Sequence, residues 1–350
     1  MVASGVSIQG QMVTKHQSVV IDSLCKETFE EGNFPGMVVM VALGDSIIWS
    51  DGYGYANIEK KKEANPYSSL FRIGSVSKTV TSAALAILLE EGKVNLDEEV
   101  QAYVPYFPKK KYPVTVRQIS GHIGGIRHYA GMEFMSNIEY KDVATGIDIF
   151  KNSELLFEPG SKYSYSSYGW NLVSAVIEGS SQVPFLKYMQ EKVFIPFGMD
   201  NIYAESETLQ LENKVDFYMH DAKGEIIPTY KVNNSYKWAG GGFIATAVDL
   251  VKFSSGIQEN KIFSSRTRKQ LWKSCTLNDG SKTNYGLGWA TNVDDEGRKW
   301  VGHSGGSVGG TSMYLLYPEE ELTVITLVNL SGARMERLAW KIASEILDQQ

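Results

Sequence analysis

The chain has 350 residues, of which 43% are hydrophobic and 21% are charged, with a formal net charge of −6 at pH 7. This composition is that of a globular protein with a large core, and the acidic balance excludes nucleic acid and anionic membrane surfaces as main partners. The two cysteines, Cys25 and Cys275, lie far apart in the sequence and give neither a disulfide framework nor a zinc spacing. We therefore expect no metal and no cofactor.

The sequence also lacks recognisable signals for membrane insertion or export. No run reaches the roughly 18 apolar residues that span a bilayer. Residues 1–17 lack the apolar centre of a signal peptide. The sequence as written therefore predicts a cytoplasmic protein without a membrane span, and a periplasmic, secreted or mitochondrial location would require that a targeting segment had been removed.

The first predicted elements are a helix over residues 16–31 and a β-hairpin with strands over 37–43 and 46–55. A polar loop then leads to a second helix, which begins after Gly74 and ends at Gly92. The apolar residues of this second helix recur at helical spacing and form one stripe: Val76, Val80, Ala83, Ala84, Ile87 and Leu88.

The remaining chain is first mostly helix and loop, to about residue 250, and then mostly strand. Helices are predicted over residues 115–120, 168–179, 185–193 and 246–257. Strands of an antiparallel meander are predicted over residues 285–291, 299–303, 311–317 and 322–329. A helix over residues 334–347 closes the chain.

These elements predict an α+β fold with two lobes. The N-terminal hairpin and the C-terminal meander would pair in one antiparallel sheet, covered by the terminal helices and formed by residues 1–74 and 255–350. Residues 75–254 would form a mostly helical lobe. Together the lobes would make one domain, with an active site between them.

Ser75 and Lys78 at the start of the second helix are the first candidates for chemistry. Residues three positions apart share a helix face, so the lysine amine would lie beside the serine hydroxyl. A serine hydroxyl needs an adjacent base to become a nucleophile, and the helix N-terminus favours developing negative charge. From this segment alone, the alternative is that Ser75 only caps the helix.

Two other serines match nucleophile motifs and are weighed against Ser75. Ser23 precedes Lys26 by three positions, but it would lie in the middle of the first helix, where no backbone N–H group is free. Ser304 lies in a G-x-S-x-G match, which needs a helix after it and a histidine later in the chain. A strand is predicted after Ser304, and the last histidine is His303, so we interpret neither serine as the nucleophile.

Three short motifs, taken in order, carry a family resemblance. Ser75-Val76-Ser77-Lys78 opens the helical lobe, Tyr165-Ser166-Ser167 precedes a helix, and His303-Ser304-Gly305 lies on a strand. Their order and context resemble the class C-like branch of the serine β-lactamase and penicillin-binding protein superfamily, which also contains D-aminopeptidases and esterases. The similarity extends from about residue 34 to residue 347 and is greatest to the β-lactamase-like members of animal mitochondria. Stretches that also fit are residues 114–129, 157–178 and 233–253.

The resemblance implies a β-lactamase/transpeptidase-like fold and a role for each motif residue. Ser75 would be acylated, Lys78 would take or relay its proton, and Tyr165 would work with the lysine as general base and then general acid. The oxyanion hole would consist of the backbone N–H groups of Ser75 and Gly306. Burial would lower the pKa of Lys78, and the nearby ammonium would lower the pKa of Tyr165.

Two positions depart from the pattern of the lactamases. His303 and Gly305 would line the cleft, but the lactamases have a lysine where His303 stands, and that lysine grips a substrate carboxylate. Ser167 stands in a substrate-binding position where they have asparagine. Both changes argue against efficient antibiotic hydrolysis. His128 and Tyr129 are interpreted as loop residues, with the rim of the cleft as the alternative.

The sequence thus predicts a serine hydrolase that forms an acyl-enzyme and cleaves a peptide, amide or ester bond in a small-molecule or peptide substrate. One alternative is a catalytically weak scaffold or filament-forming homologue, because the mitochondrial relative is associated with filaments. Another is a true β-lactamase or D,D-peptidase. Assembly of the chain into a homo-oligomer stays open.

Overall fold

The computed structural model describes residues 12–206 and 209–348. The helices in this part of the chain are α1 (Lys15–Glu31), α2 (Val76–Glu90), α3 (Val116–Ser120), α4 (Val143–Ile147), α5 (Ser167–Ser181), α6 (Phe185–Met189), α7 (Ile195–Phe197), α8 (Trp238–Gly241), α9 (Ala247–Gln258), α10 (Ser265–Trp272) and α11 (Glu336–Leu347). A π-helical turn (Gln190–Phe194) joins α6 to α7. None of the described helices is long and apolar enough to cross a membrane. Most of the N-terminal segment that was considered for a signal peptide, residues 1–11, lies outside the described residues.

The strands form three sheets. They are β1 (Gly36–Leu43), β2 (Ser46–Asn57), β3 (Lys62–Glu63), β4 (Phe71–Arg72), β5 (Ile202–Ala204), β6 (Tyr218–His220), β7 (Ile226–Pro228), β8 (Phe243–Ala245), β9 (Ala290–Val293), β10 (Lys299–Ser307), β11 (Gly310–Tyr317) and β12 (Leu322–Val328). The main sheet has seven strands in the order β3-β2-β1-β12-β11-β10-β9. The hairpin and the meander meet where β1 pairs antiparallel with β12, with Met37 opposite Val328, which confirms the predicted single sheet.

The main sheet is buried on both faces, which explains why its central strands are apolar throughout. Side chains alternate between faces along a strand. In β1, Met37, Val39 and Val41 pack with α1 and α11 in one core, whereas Val38 and Met40 belong to a second core shared with α2 and α5. Burying a side chain of this size stabilises the fold by about 1.5–3 kcal/mol. The sheet therefore lies between the two terminal helices on one face and a second set of helices, including α2 and α5, on the other.

Helix α2 crosses the second core, and its burial is more complete than its apolar stripe predicts. Every residue from Val76 to Leu88 is buried, including the polar ones between the stripe residues. The polar side chains are tolerated because they bond to backbone oxygens: the Thr79 hydroxyl donates to Val76 O at 2.7 Å, and the Ser82 hydroxyl donates to Thr79 O at 2.6 Å. A central helix of this kind holds its first turn rigidly.

Several predicted boundaries were wrong. The strand predicted over 285–291 begins only at Ala290, and β10 runs on to Ser307. Helix α5 continues through Gly179 to Ser181. A Cβ at position 179 would lie 1.9 Å from Tyr103 O, so this glycine allows a close approach of another segment and does not end the helix. The lobe boundary placed at residue 254 falls inside α9, which packs against β1 and β12. The division of the chain into two lobes stays a prediction.

Candidate active site

Ser75 lies in the turn between β4 and α2, at the N-cap position of the helix. Its backbone is already helical, with φ −66° and ψ −9°, and its side chain makes no capping hydrogen bond. The preceding Gly74 has φ +48°, a conformation that glycine adopts readily. The interpretation of Ser75 as a capping serine is therefore wrong, and its hydroxyl is free to contact other groups.

Lys78 is the side chain that contacts Ser75. Its ammonium donates to Ser75 Oγ at 3.0 Å, to Ser167 Oγ at 3.2 Å and to the carbonyl oxygen of Gly240 at 2.5 Å. These three partners are uncharged, and the lysine is fully buried. Burial first, and the nearby charge of Lys237 second, hold the pKa of Lys78 well below the usual value of 10.5. A lysine in this position can lose its proton and then accept one from Ser75.

Tyr165 faces the same amine from another side. Lys78 Nζ lies 4.8 Å from the centre of the Tyr165 ring, so the amine sits over the ring face. The Tyr165 hydroxyl is buried and makes no hydrogen bond of good geometry within the described residues. Burial raises the pKa of Tyr165 and outweighs the opposite effect of the neighbouring Ser75 hydroxyl. The expected lowering of this pKa was wrong, and Tyr165 is a neutral phenol.

Ser167 connects the second motif to the lysine. Its hydroxyl accepts from Lys78, and its backbone N–H donates to His128 Nδ1 at 3.1 Å. Because Nδ1 accepts, the proton of this neutral imidazole is on Nε2. Burial and the lysine charges lower the pKa of His128 to about 4, so the ring stays neutral. Ser167 thus contacts Lys78, and its additional contact with substrate stays a prediction.

His303 lies behind Tyr165, with the two ring centres 6.0 Å apart. Its Nδ1 donates to Ser304 O at 2.5 Å, so its Nε2 accepts from the Tyr285 hydroxyl at 2.8 Å. Burial, and then the charge of Lys78, lower the pKa of His303 to about 3. Contrary to expectation, the ring does not line the cavity at Ser75, because both of its nitrogens are engaged in the interior.

The glycines of β10 allow the strand to approach Ser75 closely. A Cβ on Gly305 would lie 2.2 Å from Ile73 O, so Gly305 faces the interior and not, as expected, the cleft. A Cβ on Gly74 would lie 2.9 Å from Gly306 N, whereas a Cβ on Gly306 would meet nothing within 4 Å. Gly306 thus borders open space next to Ser75. This placement supports the predicted pair of oxyanion donors, whose function stays a prediction.

A cavity of about 520 Å³, here called the Ser75 cavity, opens at this point. Its wall consists of Ser75, His128, Tyr129, Gly131, Phe134, Tyr165, Ser167, Lys237, Gly240, Gly241, Gly306, Ser307, Val308 and Ser331. His128 and Tyr129 therefore line the cleft, which was the alternative to their interpretation as ordinary loop residues. Nowhere in residues 12–206 and 209–348 do three or more His, Cys, Asp or Glu side chains group as metal ligands.

The rival serines lie elsewhere and lack a comparable setting. Ser23 is exposed in the middle of α1. Ser304 is exposed on β10, and the next element is the strand β11, so the helix that a nucleophile elbow requires does not follow. Ser75 is the one of the three that combines a helix start with a buried lysine.

Two contributors to the site were not predicted from the sequence. The Gly240 carbonyl holds Lys78, and the triple-glycine run at 240–242 was the visible signal, since glycines allow a backbone to approach closely. Lys237 lines the cavity just before that run. A lysine among aromatic residues carries no periodic signal, so only the tertiary structure reveals its burial.

Comparison with known proteins agrees with this geometry. The family model described as Beta-lactamase matches residues 21–347. The human serine beta-lactamase-like protein LACTB, mitochondrial, is 28% identical over 423 residues, covering 90% of this chain and 77% of that protein. Penicillin-binding protein 4* of Bacillus subtilis (strain 168) is 27% identical over 351 residues, covering 95% and 76% respectively.

A solved structure shows the same fold. The octameric penicillin-binding protein homologue from Pyrococcus abyssi superimposes with a TM-score of 0.84 at 25% identity, covering 94% of this chain and 77% of that one. Its mixed α/β architecture with a large antiparallel sheet matches the sheet described above.

Proposed function

This chain belongs to the β-lactamase family of serine hydrolases, and we propose that it cleaves an amide or ester bond through an acyl-enzyme on Ser75. The observation that carries the proposal is the 3.0 Å contact between Lys78 Nζ and Ser75 Oγ, made by a lysine with no charged partner among its hydrogen bonds. A lysine with a lowered pKa is a competent general base near neutral pH.

Acylation would start from the deprotonated form of Lys78. Its two remaining N–H groups stay bonded to Gly240 O and Ser167 Oγ, so its lone pair points to the Ser75 hydroxyl. Ser75 Oγ then attacks the substrate carbonyl carbon as its proton moves to Lys78. Holding base and nucleophile in one geometry removes the entropy cost of bringing them together.

The negative oxygen that develops in this step would bind between the N–H groups of Ser75 and Gly306. Loss of one such donor typically costs about 100- to 1,000-fold in rate. The close approach of Gly74 to Gly306 supports this arrangement, since it fixes the distance between the helix start and β10.

Tyr165 would supply the proton that the leaving group needs. Because its phenol is neutral and its hydroxyl makes no hydrogen bond of good geometry within residues 12–206 and 209–348, it can donate to the departing amine or alkoxide and recover a proton from Lys78. Water then attacks the ester carbonyl, with Lys78 and Tyr165 again moving the proton, and Ser75 is released. Tyr165 acts here as a proton donor and relay, and its raised pKa supports that role over a permanent phenolate.

The substrate is proposed to be a peptide, an amide or an ester, with weak or no antibiotic hydrolysis. Ser167 is too short to replace the asparagine of the lactamases in reaching a substrate amide, and its hydroxyl is already engaged with Lys78. His303 is neutral and buried, so it offers no positive charge to a β-lactam carboxylate. Both features support a peptide, an amide or an ester as the substrate in preference to a β-lactam.

Burst kinetics with an activated ester test the proposal. Mixing enzyme with excess 4-nitrophenyl acetate should release one equivalent of nitrophenol per chain before the steady state, because the acyl-enzyme accumulates. A chromogenic cephalosporin on the same preparation should turn over much more slowly. The absence of both a burst and steady turnover, from folded protein and with several acyl groups, would favour the scaffold hypothesis.

Self-association is a separate proposal that rests on the relative from Pyrococcus abyssi, which is described as octameric. Light scattering coupled to gel filtration would measure the mass of the assembly. A single species of 38.9 kDa at micromolar concentration would contradict it.

A further inference from the structure

Lys237 is a buried cation in the wall of the Ser75 cavity, and it forms no ion pair within the described residues. It is only 6% exposed, and its ammonium donates to the Phe134 carbonyl oxygen at 3.3 Å. The ammonium also lies 5.7 Å from the centre of the Tyr129 ring and 5.2 Å from that of Tyr236. These are weak partners for a buried charge.

The carboxylate that acts on Lys237 is already taken by other cations. Glu205 raises the pKa of Lys237, but its oxygens lie 2.6 Å from Arg72 and 3.9 Å from Lys214. Burial outweighs Glu205 and lowers the pKa of Lys237 to about 7, with Arg72 adding to the effect. The lysine is therefore partly charged at neutral pH, and a bound anion would favour its charged form.

The lining of the Ser75 cavity is basic, although the whole chain is acidic. Its wall contains Lys237 and no Asp or Glu, and Lys78 lies directly beneath Ser75. The Ser307 hydroxyl, in the same wall, is buried without a hydrogen-bond partner in the described part of the chain. A weakly paired ammonium and a buried hydroxyl without a partner in the described residues therefore face one cavity, and both can donate to a bound acceptor.

We propose that Lys237 binds a carboxylate of the substrate, so that the enzyme acts on esters or amides that carry a negative charge near the scissile bond. This inference rests on the proposed function of Ser75. Lys237 takes over the recognition of negative charge that the buried and neutral His303 cannot supply. Its position, on the turn before α8, is separate from the strand motif on β10. The Ser307 hydroxyl is placed to donate to the same carboxylate.

Matched substrates that differ in one charge test this assignment. In the first pair, 4-nitrophenyl hydrogen glutarate is compared with 4-nitrophenyl glutaramate, which changes a carboxylate of the acyl group to a carboxamide. In the second pair, the charge is in the leaving group: acetyl esters of 3-hydroxybenzoate and 3-hydroxybenzamide. The measured quantity is the ratio of kcat/KM for the acid to kcat/KM for the amide within each pair.

We expect this ratio to be about 10 or more in at least one pair for the unaltered enzyme (about 1.4 kcal/mol), since only the acid offers Lys237 a charged acceptor and hydrogen bonds to charged groups are stronger than neutral ones. Lys237→Met should bring the ratio to about 1, and Lys237→Arg should restore part of it. Using a ratio removes the secondary effect of Lys237 on the pKa of Lys78, because both substrates of a pair depend on Lys78 equally.

Lys111→Met is the matched control. Lys111 is an exposed lysine whose ammonium lies 5.1 Å from the centre of the Tyr112 ring, so it resembles Lys237 in its aromatic contact but lies outside the cavity wall. Its replacement should leave the ratio unchanged.

The ratio should also depend on pH in one direction. As the pH rises through about 7, Lys237 in the free enzyme loses its charge, so the preference for the acid should fall. The charged or titratable groups around Lys237 are Arg72, Glu205, Lys78, His128, Tyr129 and Tyr236. If the titration of one of these groups changes kcat/KM equally for the acid and for the amide, that change cancels in the ratio.

Two results separate failure of this inference from failure of the proposed function. Turnover of both members of each pair with a ratio near 1, unaffected by Lys237→Met or by pH, would overturn the role of Lys237 and leave the hydrolase intact. No turnover and no acylation of Ser75 would overturn both.

Discussion

The chain contains the same four-residue pattern twice, and the two copies differ in everything except sequence spacing. Ser23 and Lys26 lie on the surface of α1, where the lysine is 59% exposed and pairs with Asp22 at 2.7 Å. Ser75 and Lys78 lie at the buried start of α2, where the lysine contacts only uncharged oxygens. The pattern Ser-x-x-Lys therefore says little about chemistry by itself.

The opposite pKa shifts of the two lysines show what the environment adds. The carboxylate of Asp22 raises the pKa of Lys26, which stays an ammonium and cannot accept a proton. Burial and the neighbouring Lys237 lower the pKa of Lys78, which makes a neutral amine accessible beside Ser75. A serine and a lysine become a catalytic pair only where water and carboxylates are excluded.

Removing each lysine should give the largest contrast. Lys78→Met should lower kcat/KM for an activated ester by about 1,000-fold or more, because members of one proton-transfer unit cannot replace each other. Lys26→Met should leave kcat/KM unchanged within a factor of two. Thermal unfolding of both variants checks the fold. Near-normal activity of folded Lys78→Met would remove the lysine from the mechanism.

Tyr165→Phe should have the next largest effect, a loss of about 100- to 10,000-fold in kcat/KM, since a positioned proton donor contributes in that range. The matched control is Tyr163→Phe: Tyr163 lies two residues earlier on the same loop, but its side chain is 39% exposed and absent from the cavity wall. Steady-state kinetics on a substrate with a poor leaving group would show the loss best. Equal activities of the two variants would contradict the proposed proton path.

Gly74→Ala should cost about 100-fold in kcat through the oxyanion site. A Cβ there would lie within 3 Å of Gly306, so the helix start and β10 must separate. Gly92→Ala is the control, because Gly92 also has a positive φ, of +68°, but a Cβ would meet nothing within 4 Å. Both variants should lose some stability from backbone strain, and only Gly74→Ala should lose activity. Parallel losses of activity would show that strain alone is responsible.

The pH dependence should give the smallest effect, about tenfold per pH unit on the acid side. Catalysis needs the neutral form of Lys78, so kcat/KM should rise as the pH rises through its lowered pKa and be highest on the mildly alkaline side. The measurement uses a neutral ester, whose recognition does not depend on Lys237. An optimum below about pH 6 is incompatible with this base.

The architecture could be predicted because the spacing of apolar residues along the sequence follows the buried faces of helices and strands. The strand patterns predict that the N-terminal hairpin and the C-terminal meander share one sheet, and the pairing of β1 with β12 confirms it. The order of three motifs predicted the family, which the match over residues 21–347 confirms. Helix ends were predicted less well, as at Gly179, where the glycine accommodates a backbone oxygen of a distant segment and does not end the helix.

The electrostatics of the site could not be predicted in the same way. Spacing places Lys78 beside Ser75, but it does not show that the Tyr165 hydroxyl is buried, and burial reverses the expected direction of its pKa shift. Nor does it show that His303 is held in the interior by Tyr285, or that Lys237 enters the cavity. These properties arise from residues distant in sequence that meet only after folding.

Locating the reactive serine tests the central claim most directly. A fluorophosphonate probe reacts with an activated hydroxyl and negligibly with an ordinary one. After labelling and digestion, mass spectrometry should find one adduct per chain on the peptide that contains Ser75, none on the peptides that contain Ser23 or Ser304, and no adduct at all in Ser75→Ala. An adduct on Ser304 or Ser23 that persists in Ser75→Ala would contradict the account.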